Sequence, residues 1–204
     1  MSQAVPNFRQ SIAAYIQTEA QPPDKFSHQP RLYALAQAIG EGQLYDDDVL
    51  YAAAWLHDLG VFVHHRPKDL AALATWDNVA YALRVVPDLL QHWHFPADKI
   101  PPVVEAIRTH LPSQKPTSLE GHLLREADIL EQLGAVGILR TVSKVGRDTR
   151  FPTHAEAIKV IRRNYAELPA RLSLHRTLEL AKPRLAVMAA FLEAADLEAA
   201  AAGL

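Results

Sequence analysis

Alternation of apolar and polar residues with a period of two is nearly absent from this chain. A period near 3.6 residues recurs instead along almost its whole length, interrupted by proline and glycine. A chain patterned in this way buries stripes of helices rather than faces of a sheet. The expectation is an all-α fold, a compact helical bundle of about eight to ten helices.

The punctuation places the elements. A first helix spans Phe8 to Glu19, and "QPPDKF" breaks the chain after it. Ser27 is positioned to cap a second helix, with Pro30 in a first turn that tolerates it, and that helix runs to Gly40. Asp46, Asp47 and Asp48 mark the start of a third helix, where negative charge is favourable, and Gly60 is its expected stop near Leu59. Helices follow over 69–75 and 77–92, the second containing Pro87, and then from Ala97 to His110. Thr117 with Glu120 forms a capping box for a helix ending at Leu133, and Thr153 with Glu156 repeats the pattern further on. Between them lie a helix from Ala135 to Lys144 and the loop "VGRDTRFPT". A last helical stretch covers 173–202, with a bend expected at Pro183 and a fraying Ala-rich end.

The 204 residues suffice for one sizeable core. No basic run followed by an apolar stretch opens the chain, and no segment is long and apolar enough for a membrane span, so a cytoplasmic protein with no membrane partner is expected. A formal charge of −2 announces no large nucleic-acid surface. Without cysteine, disulfides, thiolate metal sites and cysteine nucleophiles are excluded, so a metal must use His, Asp or Glu. Oligomeric state is not legible.

Histidines occupy positions that should be core. In the third helix Leu50, Ala53, Ala54 and His57 follow an i, i+3, i+4, i+7 stripe, and Asp58 stands next to His57. A carboxylate at the negative end of a helix dipole is unfavourable, and unpaired burial costs several kcal/mol. A cation removes both objections. His28 begins the stripe of the second helix, and His110 ends that of Val103 and Ile107. If the second and third helices run antiparallel, as their short connection suggests, His28 and His57 lie at the same end of the pair. Taken singly, each histidine has an ordinary account as a hydrogen-bonded core residue, and Asp58 as the partner of an arginine. Together, imidazole and carboxylate suit a divalent first-row metal.

The ordered set His28, His57-Asp58 and a later aspartate, Asp128, resembles the HD-domain metal-dependent phosphohydrolases. Asp128 lies in "LLREADILEQLGAVGILR", which is similar to the family's A-D-x-L-x-x-L-G-A-x-G-x-x-R element. "AIRTH" at 106–110 resembles a stretch of the compact bacterial subfamily. The resemblance implies a single HD-type domain over 1–204, with a metal-binding core at about 25–140 and the C-terminal helices 153–202 packing on it. It implies four metal ligands: His28, His57, Asp58 and Asp128. Spacing alone does not choose Asp128, because Glu131 projects closer to the centre of its stripe; a salt bridge is the preferred reading of Glu131.

The implied cofactor is one divalent ion (Mn, Fe, Co, Ni, Mg or Zn). The lysine of the best-known two-metal pattern is replaced by Val61, and one metal is expected. The implied reaction is hydrolysis of a phosphate ester or anhydride of a nucleotide or another small phosphorylated compound. Asp58 is assigned to the metal and the attacking water, His110 to the leaving group or phosphate. The loop after the pair offers His64, His65, Arg66 and Lys68 as substrate contacts. The alternatives are a non-catalytic HD-fold sensor or partner-binding module, and an HD-fold oxygenase with two irons.

Overall fold

The segment Val49–Leu56 is apolar around its whole circumference, and it forms the body of helix α3 (Asp47–Leu56), in which every residue from Val49 to Leu56 is buried. A helix of that kind must be wrapped on all sides. Asp46 caps it by accepting from the amides of Asp48 and Val49 at 3.0 and 3.2 Å. In this computed structural model the described residues are 7–21, 23–146 and 152–201. Ten α-helices and no extended strand are found among them, in keeping with the all-α expectation.

Two compact units divide the chain at Arg125 and Glu126. In the first, α3 packs against α1 (Phe8–Glu19), α2 (His28–Ile39) and α6 (Ile100–Arg108). Helix α4 (Leu70–Ala74) is short and exposed; α5 (Asn78–His92) lies on α6. Ile12, Ile16, Leu32, Leu50, Leu56 and Ile107 are fully buried and make up much of this core. Each such side chain contributes about 1.5–3 kcal/mol of burial. The second unit begins within α7 (Leu119–Glu131) and contains α8 (Gly134–Val142), α9 (His154–Glu167) and α10 (His175–Ala201). Helices α8, α9 and α10 pack on one another around Ile161 and Met188. The start of α10 is held by the buried Glu126 carboxylate, which accepts from the amides of Ser173 and Leu174.

Several boundaries differ from the sequence reading, each for a local reason. The second helix is preceded by a 3₁₀ turn over Pro23–Ser27, and Ser27 has helical dihedrals rather than a cap's. Helix α3 stops at Leu56, three residues short of the expected Leu59, and His57 is its C-cap. Gly60 is not a left-handed stop. It is needed because a Cβ there would stand 2.5 Å from the Asn78 carbonyl oxygen at the start of α5. The helix expected to reach His110 ends at Arg108. At α7 the cap is Ser118, which accepts from the Gly121 amide, while Glu120 accepts from the Asp46 amide at 2.8 Å and braces the start of α3. At the second expected box Thr153 caps α9, accepting from the Glu156 amide. Part of the expected loop at 145–153 (147–151) and the last residues of the Ala-rich end (202–204) lie outside the described residues. No described helix is long and apolar enough to cross a membrane.

Candidate metal centre

His28 is the first residue of α2, His57 caps the end of α3, and Asp58 follows in the turn. On a continuing helix, neighbouring side chains would diverge by about 100°. Here the helix has ended, and Asp58 takes φ −96° and ψ 14°. That bend lets the carboxylate swing back towards the preceding ring. Its Oδ2 lies 3.6 Å from His57 Nε2 and 3.7 Å from His28 Nε2. The two imidazoles meet edge to face with centroids 5.4 Å apart. One ligand atom from each of His28, His57 and Asp58 lies within 4.8 Å of the other two.

The protonation pattern of this group follows from its hydrogen bonds. Nδ1 of His57 is 3.0 Å from the Ala54 carbonyl, which only accepts, so Nδ1 carries the proton. In the neutral ring the lone pair is then on Nε2, the atom that faces Asp58. His57 is 1 % exposed, and this Nε2 is buried with no hydrogen-bond partner. A buried lone pair set against a carboxylate is repulsive unless a positive charge stands between them. The separations are too long for hydrogen bonds. Ligands about 2.0–2.2 Å from a common ion stand roughly 3–3.5 Å apart, close to what is seen. The donor set fits a divalent cation.

A third imidazole adjoins this group. His110 is 2 % exposed, and its ring lies 5.0 Å from that of His57. Its Nδ1 is 2.6 Å from the Ile107 carbonyl, which again leaves the lone pair on Nε2. Asp128 belongs to the second unit, where its Oδ2 accepts from Gln132 Nε2 at 3.3 Å. Glu131 pairs with Arg140 at 3.3 Å, the salt bridge preferred for it from the sequence. Of the three histidines that the sequence suggests as surface or amphipathic positions, His92 and His94 are exposed, whereas His122 is half-buried and its Nδ1 is buried with no hydrogen-bond partner.

The loop after the pair is less open than its composition suggests. His64 is 62 % exposed, with Nδ1 3.5 Å from Glu19 Oε2. The ring of His65 is only 9 % exposed, and both its nitrogens are engaged, by Tyr81 at 2.8 Å and by Glu19 at 3.1 Å. Burial pushes the His65 imidazole below its ordinary value, and the pull of Glu19 does not restore it. Arg66 is half-buried and Lys68 exposed. Glu19 and Tyr81 were missed in the sequence, and no spacing signal could have joined residues on three separate elements. Trp55 is also informative. Its indole nitrogen is buried with no hydrogen-bond partner, and its ring packs on Phe26 at 6.0 Å.

The sequence pattern of the HD domain matches residues 26–133. Among proteins of curated function none matches this chain. The fold is similar to that of Bacillus subtilis YpgQ (21 % identity, 94 % of this chain and 95 % of that one, TM-score 0.72). A structure of YpgQ in complex with ADP is also similar (21 % identity, 93 % and 97 % covered, TM-score 0.67). So is an HD-superfamily hydrolase from Bacillus thuringiensis (19 % identity, 93 % and 95 % covered, TM-score 0.68).

Proposed function

This chain belongs to the HD-domain family, and on that premise we propose that it is a cytoplasmic metal-dependent phosphohydrolase acting on a nucleotide or another small phosphorylated compound. The observation that carries the reading is the buried, unbonded Nε2 of His57 facing Asp58 and His28. The ADP bound to the similar YpgQ supports the nucleotide part.

In this proposal His28, His57, Asp58 and Asp128 hold one divalent ion: Mn, Fe, Co, Ni, Mg or Zn. When bound, such an ion lowers the pKa of a coordinated water and offsets charge on a phosphoryl group. The residues of the chain do the rest. The Ala54 carbonyl fixes the tautomer and orientation of His57. Asp58 contributes one carboxylate oxygen to the ion and orients the attacking water. His110, with Nδ1–H committed to the Ile107 carbonyl, is left with Nε2 as the atom that takes up a proton and passes it to the leaving oxygen. Arg66, Lys68 and His64 meet the substrate phosphate. His65 shares their loop, but its nitrogens serve Tyr81 and Glu19 instead.

The test is metal analysis of the purified protein, followed by a screen of nucleoside mono-, di- and triphosphates and simple phosphoesters with Mn, Mg, Co, Ni and Zn. Hydrolysis that a chelator abolishes is expected. Protein that carries no transition metal, gains no thermal stability from one and cleaves nothing would favour a non-catalytic sensor or binding module.

A further inference from the structure

The loop between the metal centre and α4 is tied down by more bonds than a surface connection needs. The Val63 amide donates to the Gln21 carbonyl at 3.4 Å, just beyond the end of α1. Trp76 Nε1 donates to the Gly60 carbonyl at 2.8 Å. The amides of His65 and Arg66 both donate to the Phe62 carbonyl. At the centre is the His65 ring, between Tyr81 of α5 and Glu19 of α1. A carboxylate only accepts, so His65 Nε2–H donates to Glu19 and Nδ1 accepts from the Tyr81 hydroxyl. The result is a directed chain, hydroxyl to imidazole to carboxylate, which requires the ring to be neutral. Burial favours that form.

The groups around this chain are aromatic or charged. Tyr15 lies edge-on to the His65 ring at 6.3 Å and packs on Trp93 at 5.2 Å. Burial first, then Glu19 and Tyr81, push the Tyr15 hydroxyl up to about 12, so it stays protonated at neutral pH. Trp76 covers Tyr81 at 5.3 Å, and the Arg84 guanidinium stands over the Tyr81 ring, also at 5.3 Å. His64 shares Glu19 Oε2 from the solvent side. Hydrogen bonds in such a part-buried cluster are directional and cost free energy to break.

We infer that His65 is a positioning residue: by joining Tyr81 to Glu19 it clamps the 62–68 loop against α1 and α5, so that Arg66 and Lys68 present their charges to a substrate phosphate in one geometry. Its substrate half rests on the phosphohydrolase reading above; the clamp itself does not. Long cationic side chains lose less freedom on binding when their backbone is already fixed. Without the clamp the same charges remain but must be ordered at the moment of binding.

The test uses Tyr81→Phe in the full chain, which removes one hydroxyl and keeps the ring under Arg84 and beside Trp76. Glu19→Ala and Glu19→Gln are the second pair; the glutamine still accepts from Nε2–H. Hydrogen exchange is followed over 60–68 and over α3, with metal content, and KM and kcat are measured on p-nitrophenyl phosphate and a nucleoside monophosphate. Tyr81→Phe should speed exchange of the loop about fivefold and raise KM by a similar factor, the worth of one hydrogen bond. Exchange in α3, metal content and kcat should hold. Glu19→Ala should behave likewise, and Glu19→Gln should recover most of the loss. Unchanged loop exchange in Tyr81→Phe, or Glu19→Gln as damaging as Glu19→Ala, overturns the clamp. A loosened loop with unchanged KM overturns its role in substrate binding. A wild type that cleaves no phosphate compound removes the substrate half through failure of the earlier reading, and the exchange result still decides the clamp by itself.

Discussion

Asp58→Ala separates a metal ligand from an ordinary buried acid. Without an ion, the Asp58 carboxylate stands 3.6 and 3.7 Å from two imidazole nitrogens, and the His57 nitrogen presents a lone pair. Removing the carboxylate from that setting relieves its repulsion with the His57 lone pair. Its side chain is 24 % exposed, so truncation to Ala also gives up some packing. The metal-free variant should therefore lose no more than about 1 kcal/mol against wild type. The metal-loaded protein should differ sharply. An ion at a hundred times its Kd stabilises the native state by about 2.7 kcal/mol. For a chain of this length each kcal/mol moves Tm by roughly 2–4 °C, so wild type should gain about 5–11 °C. Asp58→Ala should lose most of that gain and all hydrolysis, with helix content unchanged. Thermal melts with chelator and with each metal, read beside metal analysis, make the comparison. A variant that melts several degrees lower without metal yet keeps the full metal-induced rise would refute the reasoning, and Asp58 would be a structural acid.

Gly60→Ala places a Cβ 2.5 Å from the Asn78 carbonyl, a backbone atom that cannot turn aside; a loss of about 1–3 kcal/mol is expected in urea melts, and an unchanged midpoint would show the contact to be soft. Lys68→Ala should raise KM for a phosphorylated substrate more than it alters metal binding; steady-state kinetics beside metal titration read both, and an unchanged KM removes Lys68 from the site. Lys99 Nζ bonds Asp46 and Asp48 at 3.0 Å each. Burial raises these two carboxyls, but the bonds from Lys99, from Arg9 to Asp48 and from the helix amides to Asp46 outweigh it, and both stand below the usual carboxylate range. Depressed folded-state values mean that this stabilisation is present above the unfolded value near pH ~3.9 and is lost as pH falls through the lower folded values. Lys99→Ala should therefore move the acid-unfolding midpoint, followed by circular dichroism, to higher pH; an unmoved midpoint would leave the pairs without thermodynamic weight.

Much of this molecule could be read in advance, and what could not has physical causes. Helices were legible because the apolar period repeats within each segment: α1 has the expected ends, and α5 is capped by Asp77 where the period begins. Caps were less legible, because a side chain that suits a local box can find a better distant use. Glu120 holds the Asp46 amide, 74 residues away in sequence. Gly60 looked like a stop because glycine commonly ends helices; its actual cause, the passage of α5 beside it, is a tertiary fact. His28, His57 and Asp58 were foreseeable as a group because polar residues on apolar stripes must be explained together. The partners of His65 were not, since Glu19 and Tyr81 lie on helices whose packing no local pattern encodes.

The two best-buried histidines share one device, and it ties helix ending to chemistry. The last carbonyls of a helix have no amide of their own to accept from. At the end of α3, Ala54 receives Nδ1–H of His57, three residues on; at the end of α6, Ile107 receives Nδ1–H of His110 in the same relation. Each contact satisfies a carbonyl left over by the helix, fixes the ring and turns the Nε2 lone pair away from the helix that made it. With the two rings 5.0 Å apart, a pair of helix endings becomes a pair of oriented nitrogen donors. Extending either helix by one turn would return those carbonyls to backbone amides and free the rings to rotate. The early stop of α3 at Leu56 is therefore part of the site, because it gives Asp58 the bend that brings its carboxylate back to face His57.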